Sequence, residues 1–265
     1  MGAEKIAVCK ALIRSFRKVV VAYSGGVDSS LMVKLCADEL GSANVTAVTG
    51  VSQTYTDEEK NVAQQIASKL GVELVLLQTD ELSSDLFANN PVNRCYYCKR
   101  ELYGKLTDIA RKKNIPYVLD GTNADDLGDY RPGRKAAEEF GIISPFVSAG
   151  ITKSDIRNLS RSLELPTWDK PANPCLASRV PYGIKITDPL LRKIEAGEKI
   201  LRKFDIKNVR LRHHDAIARI EVSSHDFHKL VDEKARLEIV DAFKKLGYKW
   251  IALDLEGYRT GSLNE

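Results

Sequence analysis

Long apolar runs are missing from this sequence. No segment approaches the roughly 20 consecutive apolar residues that a membrane-spanning helix needs. The opening stretch, MGAEKIAVCKALIRSF, is interrupted by charged residues and lacks the apolar core of a signal peptide, and Ile6 stands where a myristoylation signal has Ser or Thr. We therefore expect a cytoplasmic protein that does not use the membrane.

A strong excess of one charge is also missing. The 40 Lys and Arg residues nearly balance the 36 Asp and Glu residues, so the net charge is only +4 in 265 residues. The hydrophobic fraction of 43% is ordinary for a globular protein, and the length allows one large α/β domain with or without a smaller one. This mild basicity is compatible with phosphorylated ligands but argues against nucleic acid as a partner.

Cysteine is scarce, and its number is odd. Five cysteines in a reducing compartment argue against a disulfide framework and favour metal or reactive-thiol chemistry. Cys9 and Cys36 lie in helical patterns where a small apolar side chain suffices, so we interpret them as structural. Cys95 and Cys98 form CYYC, a chelating spacing, and Cys175 lies in a proline-rich segment. From spacing alone, the three are compatible with a redox pair, part of a zinc site or an iron–sulfur cluster with one open iron.

Strand-like and helix-like patterns alternate through the first two thirds of the chain. Short runs of Val, Ile and Leu alternate with longer helical segments, two of which end at Gly41 and Gly71. This order predicts right-handed βαβ units and a parallel sheet with helices on both faces, which is an α/β fold. The predicted strands are Val19–Tyr23, Val45–Val51, Glu73–Leu77 and Tyr117–Asp120, and the predicted helices are Ser29–Leu40, Thr56–Leu70 and Lys99–Asn114.

Proline interrupts the regular pattern between Leu165 and Ile184, in LPTWDKPANPCLASRVPYGI. We expect a domain boundary or an active-site loop there. The predicted organisation is a nucleotide-binding domain at 1–165, a loop at 166–187 and a small α+β domain for substrate binding or oligomerisation at 188–265. The elements predicted for the small domain are helix Pro189–Phe204, strands Val209–His213 and Ala218–Val222, a helix near Glu233–Leu246 and strand Trp250–Asp254.

The segment Val21–Leu31, VAYSGGVDSSL, joins the first predicted strand to the first predicted helix. Its glycines allow a tight turn, the free amide groups at the start of the helix point at an anion, and its hydroxyl groups add donors. The segment lacks the Gly-Lys-Ser or Gly-Lys-Thr of a Walker loop and the third glycine of the Rossmann fingerprint. We therefore predict a phosphate site in which Asp28 either binds Mg²⁺ or shapes the loop.

The hexapeptide SGGVDS resembles the PP-loop of the ATP pyrophosphatase superfamily, whose members cleave ATP between the α- and β-phosphates and adenylate a carbonyl or carboxylate oxygen. The resemblance implies an adenine nucleotide alpha hydrolase-like fold and a loop that holds the pyrophosphate of ATP. It also assigns nucleotide contacts to Leu119–Ala136, LDGTNADDLGDYRPGRKA, and Mg²⁺ binding to Asp125. Asp125, Asp126 and Asp129 each also fit a solvated loop. The residues expected to bind ATP are Ala22, Ser24, Gly25, Gly26, Asp28, Ser29, Gly121, Thr122 and Asn123.

Further segments narrow the resemblance to the LarE family, the ATP-dependent sulfur transferases of nickel-pincer nucleotide biosynthesis, over essentially the full chain. They are AYSGGVDSS, TDEE at Thr56–Glu59, VLDGTNADDLGDYRPGRKA, CLASRVPYG at Cys175–Gly183, VRLRHHDAIARIEV at Val209–Val222 and the ending LDLEGYRTGSLNE. The resemblance implies that a carboxylate of pyridinium-3,5-biscarboxylic acid mononucleotide is adenylated by ATP with Mg²⁺ and then becomes a thiocarboxylate. It also implies a homo-oligomer.

Positive charge is expected near this substrate, which carries carboxylates and a phosphate. Arg210 and Arg212 alternate along one predicted strand and so project to one face, where we expect them to clamp a phosphate; an exposed strand face is the alternative. Arg179 is expected to stabilise the adenylate or a developing oxyanion. Glu198 matches an acidic position of the family and is expected near the substrate.

The family contains two sulfur sources, and the cysteines distinguish them. In one kind, a single cysteine at the position of Cys175 gives up its own sulfur and ends as dehydroalanine. In the other, three cysteines hold a [4Fe-4S] cluster whose open iron carries an exchangeable sulfide. Because Cys95 and Cys98 accompany Cys175, the resemblance favours the cluster, fed by inorganic sulfide or a sulfur donor. Cys175, Arg179 and Asp28 are then the candidate catalytic residues.

Three other functions remain open. A tRNA-thiolating PP-loop enzyme shares the loop and the three cysteines, but the small net charge and the lack of further cysteine pairs for zinc ribbons argue against it. An ammonia-using ligase related to NAD synthetase would share the ATP chemistry and make the cysteines incidental. A non-enzymatic nucleotide or iron–sulfur protein would leave the intact PP-loop unexplained.

Overall fold

The computed structural model describes residues 2–128, 132–171 and 174–259 of the chain. The chain divides into two compact units, the first formed by Met1–Glu81 with Asn93–Asn173 and the second by Leu82–Val92 with Pro174–Glu265. No helix in the described ranges is both long and apolar enough to cross a membrane. Asp129 and the end of the C-terminal segment, from residue 260 onward, lie outside the described residues.

The first unit is built around four parallel strands. They are β1 (Val19–Ala22), β2 (Val45–Val51), β3 (Glu73–Gln78) and β4 (Tyr117–Leu119), and they lie side by side in the order β3-β2-β1-β4. The register pairs Val19 of β1 with Val45 of β2 and with Tyr117 of β4. The carboxyl ends of β1, β2 and β4 therefore meet at one edge of the sheet, which is where parallel α/β sheets bind their ligands.

Helices cover both faces of this sheet. Val19 and Val21 of β1 face one apolar core and Val20 faces another, because successive side chains of a strand point to opposite faces. An unbroken Val run is therefore typical of a strand covered on both sides. The helices are α1 (Gly2–Arg14), α2 (Val27–Leu40), α3 (Asp57–Lys69), α5 (Arg94–Lys112), α6 (Gly133–Glu139), α7 (Pro145–Ser148) and α8 (Lys153–Ser162), while α4 (Asp85–Ala88) belongs to the second unit.

The second unit contains a three-stranded sheet in the order β5 (Val209–His214), β6 (Ile217–Val222), β7 (Trp250–Leu253). β5 and β6 are antiparallel, and β6 and β7 are parallel. The remaining helices of this unit are α9 (Asp188–Arg202), α10 (Phe227–Val231) and α11 (Glu233–Lys245). A Cβ atom at Gly197 of α9 would lie 2.3 Å from Leu211 Cδ2, so glycine allows α9 to pack closely on β5.

The predicted fold class is confirmed: a parallel-sheet α/β unit is accompanied by a smaller α+β unit. The largest error concerns α5, which begins at Arg94 rather than at Lys99, so that CYYC lies on its first turns. The hydroxyl group of Tyr96 donates to Glu139 of α6 at 2.9 Å, a tertiary contact that helps to explain the earlier start. Helices α6 and α8 were not predicted.

The segment Leu82–Val92 joins the second unit, although the chain around it belongs to the first. Its Asn90 donates through Nδ2 to the carbonyl oxygens of Val180 and Pro181, at 3.2 and 2.7 Å. The chain passes finally from the first unit to the second between Asn173 and Pro174. This crossing lies inside the segment 166–187, where the loop was predicted.

Candidate functional site

The PP-loop segment joins β1 to α2 and is closed by its own hydroxyl groups. The Oγ atoms of Ser24 and Ser29 lie 3.1 Å apart, and Ser29 Oγ accepts a hydrogen bond from the Ser24 amide at 3.2 Å. Gly25 has a φ angle of +69°, which favours glycine, and a Cβ atom there would lie 3.2 Å from the Cβ of Ala63. Ala22, the last residue of β1, leads directly into this turn.

The N-terminus of α2 has no side-chain cap. Its N-cap residue is Gly26, whereas α3 and α8 each begin with a complete capping box, formed by Thr56 with Glu59 and by Thr152 with Asp155. The first amides of a helix have no partner within the helix, and the helix dipole adds a positive potential there. The start of α2 is therefore suited to an anion such as a phosphate group.

Gly121 brings the loop after β4 onto the first turn of α2. A Cβ atom at this position would lie 2.9 Å from the amide nitrogen of Ser29 and 3.0 Å from the carbonyl carbon of Asp28. The neighbouring Asp120 fixes the loop, since its carboxylate accepts the Thr122 amide at 3.1 Å and the Thr122 hydroxyl at 2.6 Å. Only a residue without a side chain permits this approach.

Asp28, on the first turn of α2, lies at the centre of a polar cluster. Asn123 Nδ2 donates to Asp28 Oδ1 at 3.3 Å, and the ammonium group of Lys153 forms an ion pair with Asp28 Oδ2. The main-chain amide of Lys153 also donates to Asp125 Oδ2 at 2.8 Å. Lys153 thus links the two predicted Mg²⁺ ligands. Because carboxylate oxygens are the protein ligands that Mg²⁺ prefers, this donor set fits a magnesium ion held by one or two carboxylates.

Two further side chains hold carbonyl oxygens of the loop. Lys170 Nζ donates to the carbonyl oxygen of Gly25 at 3.1 Å, and the hydroxyl group of Tyr55 donates to that of Ser24 at 2.9 Å. Burial lowers the pKa of Lys170 and raises the pKa of Tyr55. Both contacts fix the direction of the loop carbonyl groups.

The five cysteines fall into two groups. Cys9 and Cys36 are completely buried, and burial raises the pKa of Cys9 to about 12 and that of Cys36 further still. Cys95 and Cys175 are exposed and Cys98 is half-buried. All five lie in described ranges, and none forms a disulfide. No group of three or more His, Cys, Asp and Glu side chains is placed to hold a metal ion among the residues that the structure describes.

In the second unit, Arg179 and Glu198 form a fully buried ion pair. Arg179 Nε donates to Glu198 Oε1 at 2.8 Å, and a terminal nitrogen donates to Oε2 at 3.2 Å. The guanidinium group also donates to the carbonyl oxygens of Pro174 and Cys175, the latter at 3.1 Å. Burial alone would raise the pKa of Glu198, but Arg179, with Arg210 and Arg202, holds it below its ordinary value.

Arg210 and Arg212 occupy alternate positions on β5 and are both buried. The Arg210 guanidinium lies 5.0 Å from the ring centroid of Tyr258, and burial with the neighbouring Arg179 lowers its pKa to about 10, so that it stays charged at neutral pH. Arg212 donates to Glu221 Oε2 at 2.8 Å and to the carbonyl oxygen of Ser178 at 2.7 Å. The alternative of an exposed strand face therefore does not describe these side chains.

The predicted nucleotide residues come together in the first unit, where Ser24–Ser29 meets Gly121–Asn123. The predicted substrate residues Arg179, Glu198, Arg210 and Arg212 lie together in the second. Sequence reasoning missed Lys153, Lys170 and Glu221. The pattern Thr-x-x-Asp at 152–155 predicts a helix start and would have drawn attention to Lys153. The contact of Lys170 has no local signal, because its partner lies far away in the sequence.

Comparisons with known proteins agree with this geometry. Residues 8–94 match the family model described as NAD synthase. The chain is 39% identical over 266 residues to a pyridinium-3,5-bisthiocarboxylic acid mononucleotide synthase of Lactiplantibacillus plantarum, which covers 99% of this chain and 95% of the relative. It is 43% identical over 247 residues to an uncharacterized protein of Synechocystis sp. (93% and 92% covered), and 35% identical over 245 residues to one of Methanocaldococcus jannaschii (92% of each).

The NAD synthase match covers α1 through β3 and so includes the PP-loop. The similarity to the Lactiplantibacillus synthase extends over nearly the whole of both chains and therefore includes both units. Its printed name is that of an enzyme. The chain belongs to the LarE family of PP-loop enzymes.

Proposed function

We propose that the protein is an ATP-dependent sulfur transferase that adenylates a carboxylate of pyridinium-3,5-biscarboxylic acid mononucleotide and converts it to a thiocarboxylate. The observation that carries the proposal is the uncapped N-terminus of α2, with the Asp28–Lys153 ion pair on its first turn. The full-length similarity to the Lactiplantibacillus synthase supports the choice of substrate.

The first unit is proposed to bind and activate ATP. A carboxylate oxygen of the substrate bonds to the α-phosphorus, and pyrophosphate leaves. The amides at the start of α2 and the hydroxyls of Ser24 and Ser29 hold the pyrophosphate end, while the 121–123 segment contacts the rest of the nucleotide. The Lys153–Asp28 pair is partly exposed, so its exchange for a phosphate partner costs little. Asp28 and Asp125 then hold Mg²⁺, which neutralises phosphate charge when bound.

The second unit is proposed to bind the anionic groups of the substrate. Arg210 and Arg212 share one face of β5 and supply the positive charge that a phosphate or carboxylate requires. Glu198 orients Arg179, and Arg179 in turn holds the main chain at Cys175. We assign to Arg179 both this positioning and the stabilisation of the adenylate or its oxyanion.

The sulfur is proposed to come from a [4Fe-4S] cluster held by Cys95, Cys98 and Cys175. The support is chemical: these are the three accessible thiols, and the remaining two are buried and protonated. When bound, the cluster would offer a sulfide on the iron that has no cysteine ligand. In the transfer the sulfur bonds to the acyl carbon, the acyl–oxygen bond breaks and AMP leaves.

Substrate-dependent exchange of labelled pyrophosphate into ATP tests the adenylation step. We expect exchange in the wild type, a loss of about a hundredfold in Lys153→Met because one charge on the transferring phosphate is removed, and no change in Lys69→Met, which removes an exposed charge at the end of α3. The absence of substrate-dependent exchange and of AMP release from the wild type would overturn the proposal.

Iron and acid-labile sulfide in anaerobically purified protein test the cluster. We expect about four of each per chain, lost in Cys98→Ala and retained in Cys36→Ser. If neither iron nor sulfide is found after reconstitution, Cys175 itself becomes the donor, a candidate favoured by its exposure. Intact mass after one turnover would then reveal dehydroalanine at position 175.

A further inference from the structure

The ammonium group of Lys170 is incompletely paired. It is half-buried against the PP-loop, where it donates to the carbonyl oxygen of Gly25 at 3.1 Å. An ammonium group carries three N–H donors, and a carbonyl oxygen satisfies one of them without neutralising the charge. Among the described residues of the first unit, no carboxylate oxygen lies within salt-bridge distance of Lys170 Nζ. Burial accordingly lowers its pKa, against the weaker opposing effects of Glu59 and Glu58.

The main chain that carries Lys170 is held firmly to α8. Arg157 of α8 donates to the carbonyl oxygens of Trp168 and Lys170, both at 2.9 Å. The Lys170 amide donates to the carbonyl oxygen of Thr167 at 3.0 Å, and the Arg161 guanidinium lies 5.0 Å from the ring centroid of Trp168. The position of the Lys170 side chain is therefore set by a braced segment, and little further ordering is needed when a ligand binds.

Lys170 differs from the other lysine of this region. Lys153 has a carboxylate partner in Asp28, so its charge is already compensated. Lys170 lacks such a partner and points at Gly25, the residue before the uncapped start of α2. A half-buried cation beside free helix amides lacks an anion of high charge, because burial without a counter-ion is unfavourable.

We propose that Lys170 is a binding residue for the pyrophosphate portion of ATP, and for pyrophosphate after it is released. In the nucleotide complex its ammonium group exchanges the Gly25 carbonyl oxygen for oxygens of the β- and γ-phosphates, which supply the missing negative charge. This inference rests on the proposed use of the PP-loop for ATP. Lys170 then distinguishes ATP and pyrophosphate from AMP, which lacks these two phosphates.

Isothermal titration of the full chain with magnesium pyrophosphate and, separately, with AMP tests this assignment. The informative variant is Lys170→Gln, whose amide group still donates a hydrogen bond but carries no charge. We expect its affinity for pyrophosphate to fall roughly ten- to hundredfold, the range of one charge-assisted hydrogen bond, while its affinity for AMP changes less than about twofold. Lys170→Arg keeps the charge and should retain most of the affinity.

The control is Lys69→Met, which removes an exposed charge from α3 and should leave both affinities unchanged. Equal weakening of AMP and pyrophosphate in Lys170→Gln would mean that Lys170 only braces the loop, and unchanged pyrophosphate binding would remove it from the site. Either result overturns this inference but not the proposed function. If the wild type binds neither ligand, the proposed use of the PP-loop fails as well.

Discussion

Two regions of this protein are suited to anions, and they are built in opposite ways. In the first unit the PP-loop offers backbone amides at an uncapped helix, with Lys153 and Lys170 at its edge. In the second unit, arginine side chains are buried together with carboxylates that already neutralise part of their charge, as Glu198 does for Arg179. The first region changes partners readily, whereas the second keeps its charges oriented before any ligand arrives.

The difference follows from solvation. A partly exposed ion pair such as Lys153–Asp28 is stabilised by about 1 kcal/mol or less, so it can open when phosphate binds. A fully buried pair such as Arg179–Glu198 is costly to break, because one charge would remain without compensation in a medium of low polarity. We therefore expect mutations in the second region to affect stability first, and mutations in the first region to affect binding first.

The largest expected effect is that of Glu198→Gln. The substitution leaves Arg179 buried without its anion and should lower the free energy of unfolding by about 3–5 kcal/mol. Because the folded-state pKa of Glu198 lies below its ordinary value, its contribution is present at neutral pH and is lost as the pH falls below about 4.3. Urea titration at pH 7 and pH 4 would measure both. Glu238→Gln, at an exposed position of α11, should change stability by less than about 0.5 kcal/mol; an equal loss in both variants would contradict the comparison.

The next effect concerns the start of α2. Gly26→Asp would supply a side-chain cap to the free amides, and the backbone there, with φ of −83°, tolerates a side chain. We expect stability to stay equal or to rise by up to about 1 kcal/mol, while pyrophosphate affinity falls by about a hundredfold because the carboxylate occupies and repels the anion site. Gly26→Asn, which caps without charge, should weaken binding less. Undiminished pyrophosphate binding in Gly26→Asp would show that these amides do not hold the anion.

A smaller effect is expected from Gly121→Ala. The added Cβ atom would press on the backbone of Ser29 and Asp28 and should cost about 1–3 kcal/mol of stability together with ATP affinity. Gly128→Ala is the matched control, since a Cβ atom at that position would meet nothing within 4 Å. Thermal unfolding and ATP titration of the two variants would compare them. Equal behaviour would mean that the 121–123 segment moves away from α2 without penalty.

The smallest effect is expected at the capped helix α8. The Asp155 carboxylate accepts the Thr152 amide and hydroxyl, and these hydrogen bonds lower its pKa. Asp155→Asn should therefore cost about 0.5–1 kcal/mol at pH 7 and almost nothing once the pH lies below the folded-state pKa of the carboxyl group. Thermal unfolding across pH 3–7 measures the difference. A loss that persists unchanged at low pH would separate the cap from the charge of Asp155.

The sequence predicts the first unit better than the second. The Val runs of β1 and β2 and the SGGVDS turn are local signals, and each was found at its expected position. The assignment of Leu82–Val92 to the second unit depends on the contacts of Asn90 with residues 180 and 181, which no local pattern reveals. The burial of Arg210 and Arg212 was hidden for the same reason: their alternation predicts a shared face but not what covers it.

The burial of Cys9 and Cys36 has a practical consequence. At neutral pH their thiols are almost entirely protonated and out of contact with solvent, so thiol-directed reagents should ignore them in the native protein. The natural sequence therefore offers its reactive handles in two places only, on the first turns of α5 and just before Leu176. Fluorophores attached there, one to each unit, would turn the enzyme into its own ruler for domain motion during a catalytic cycle.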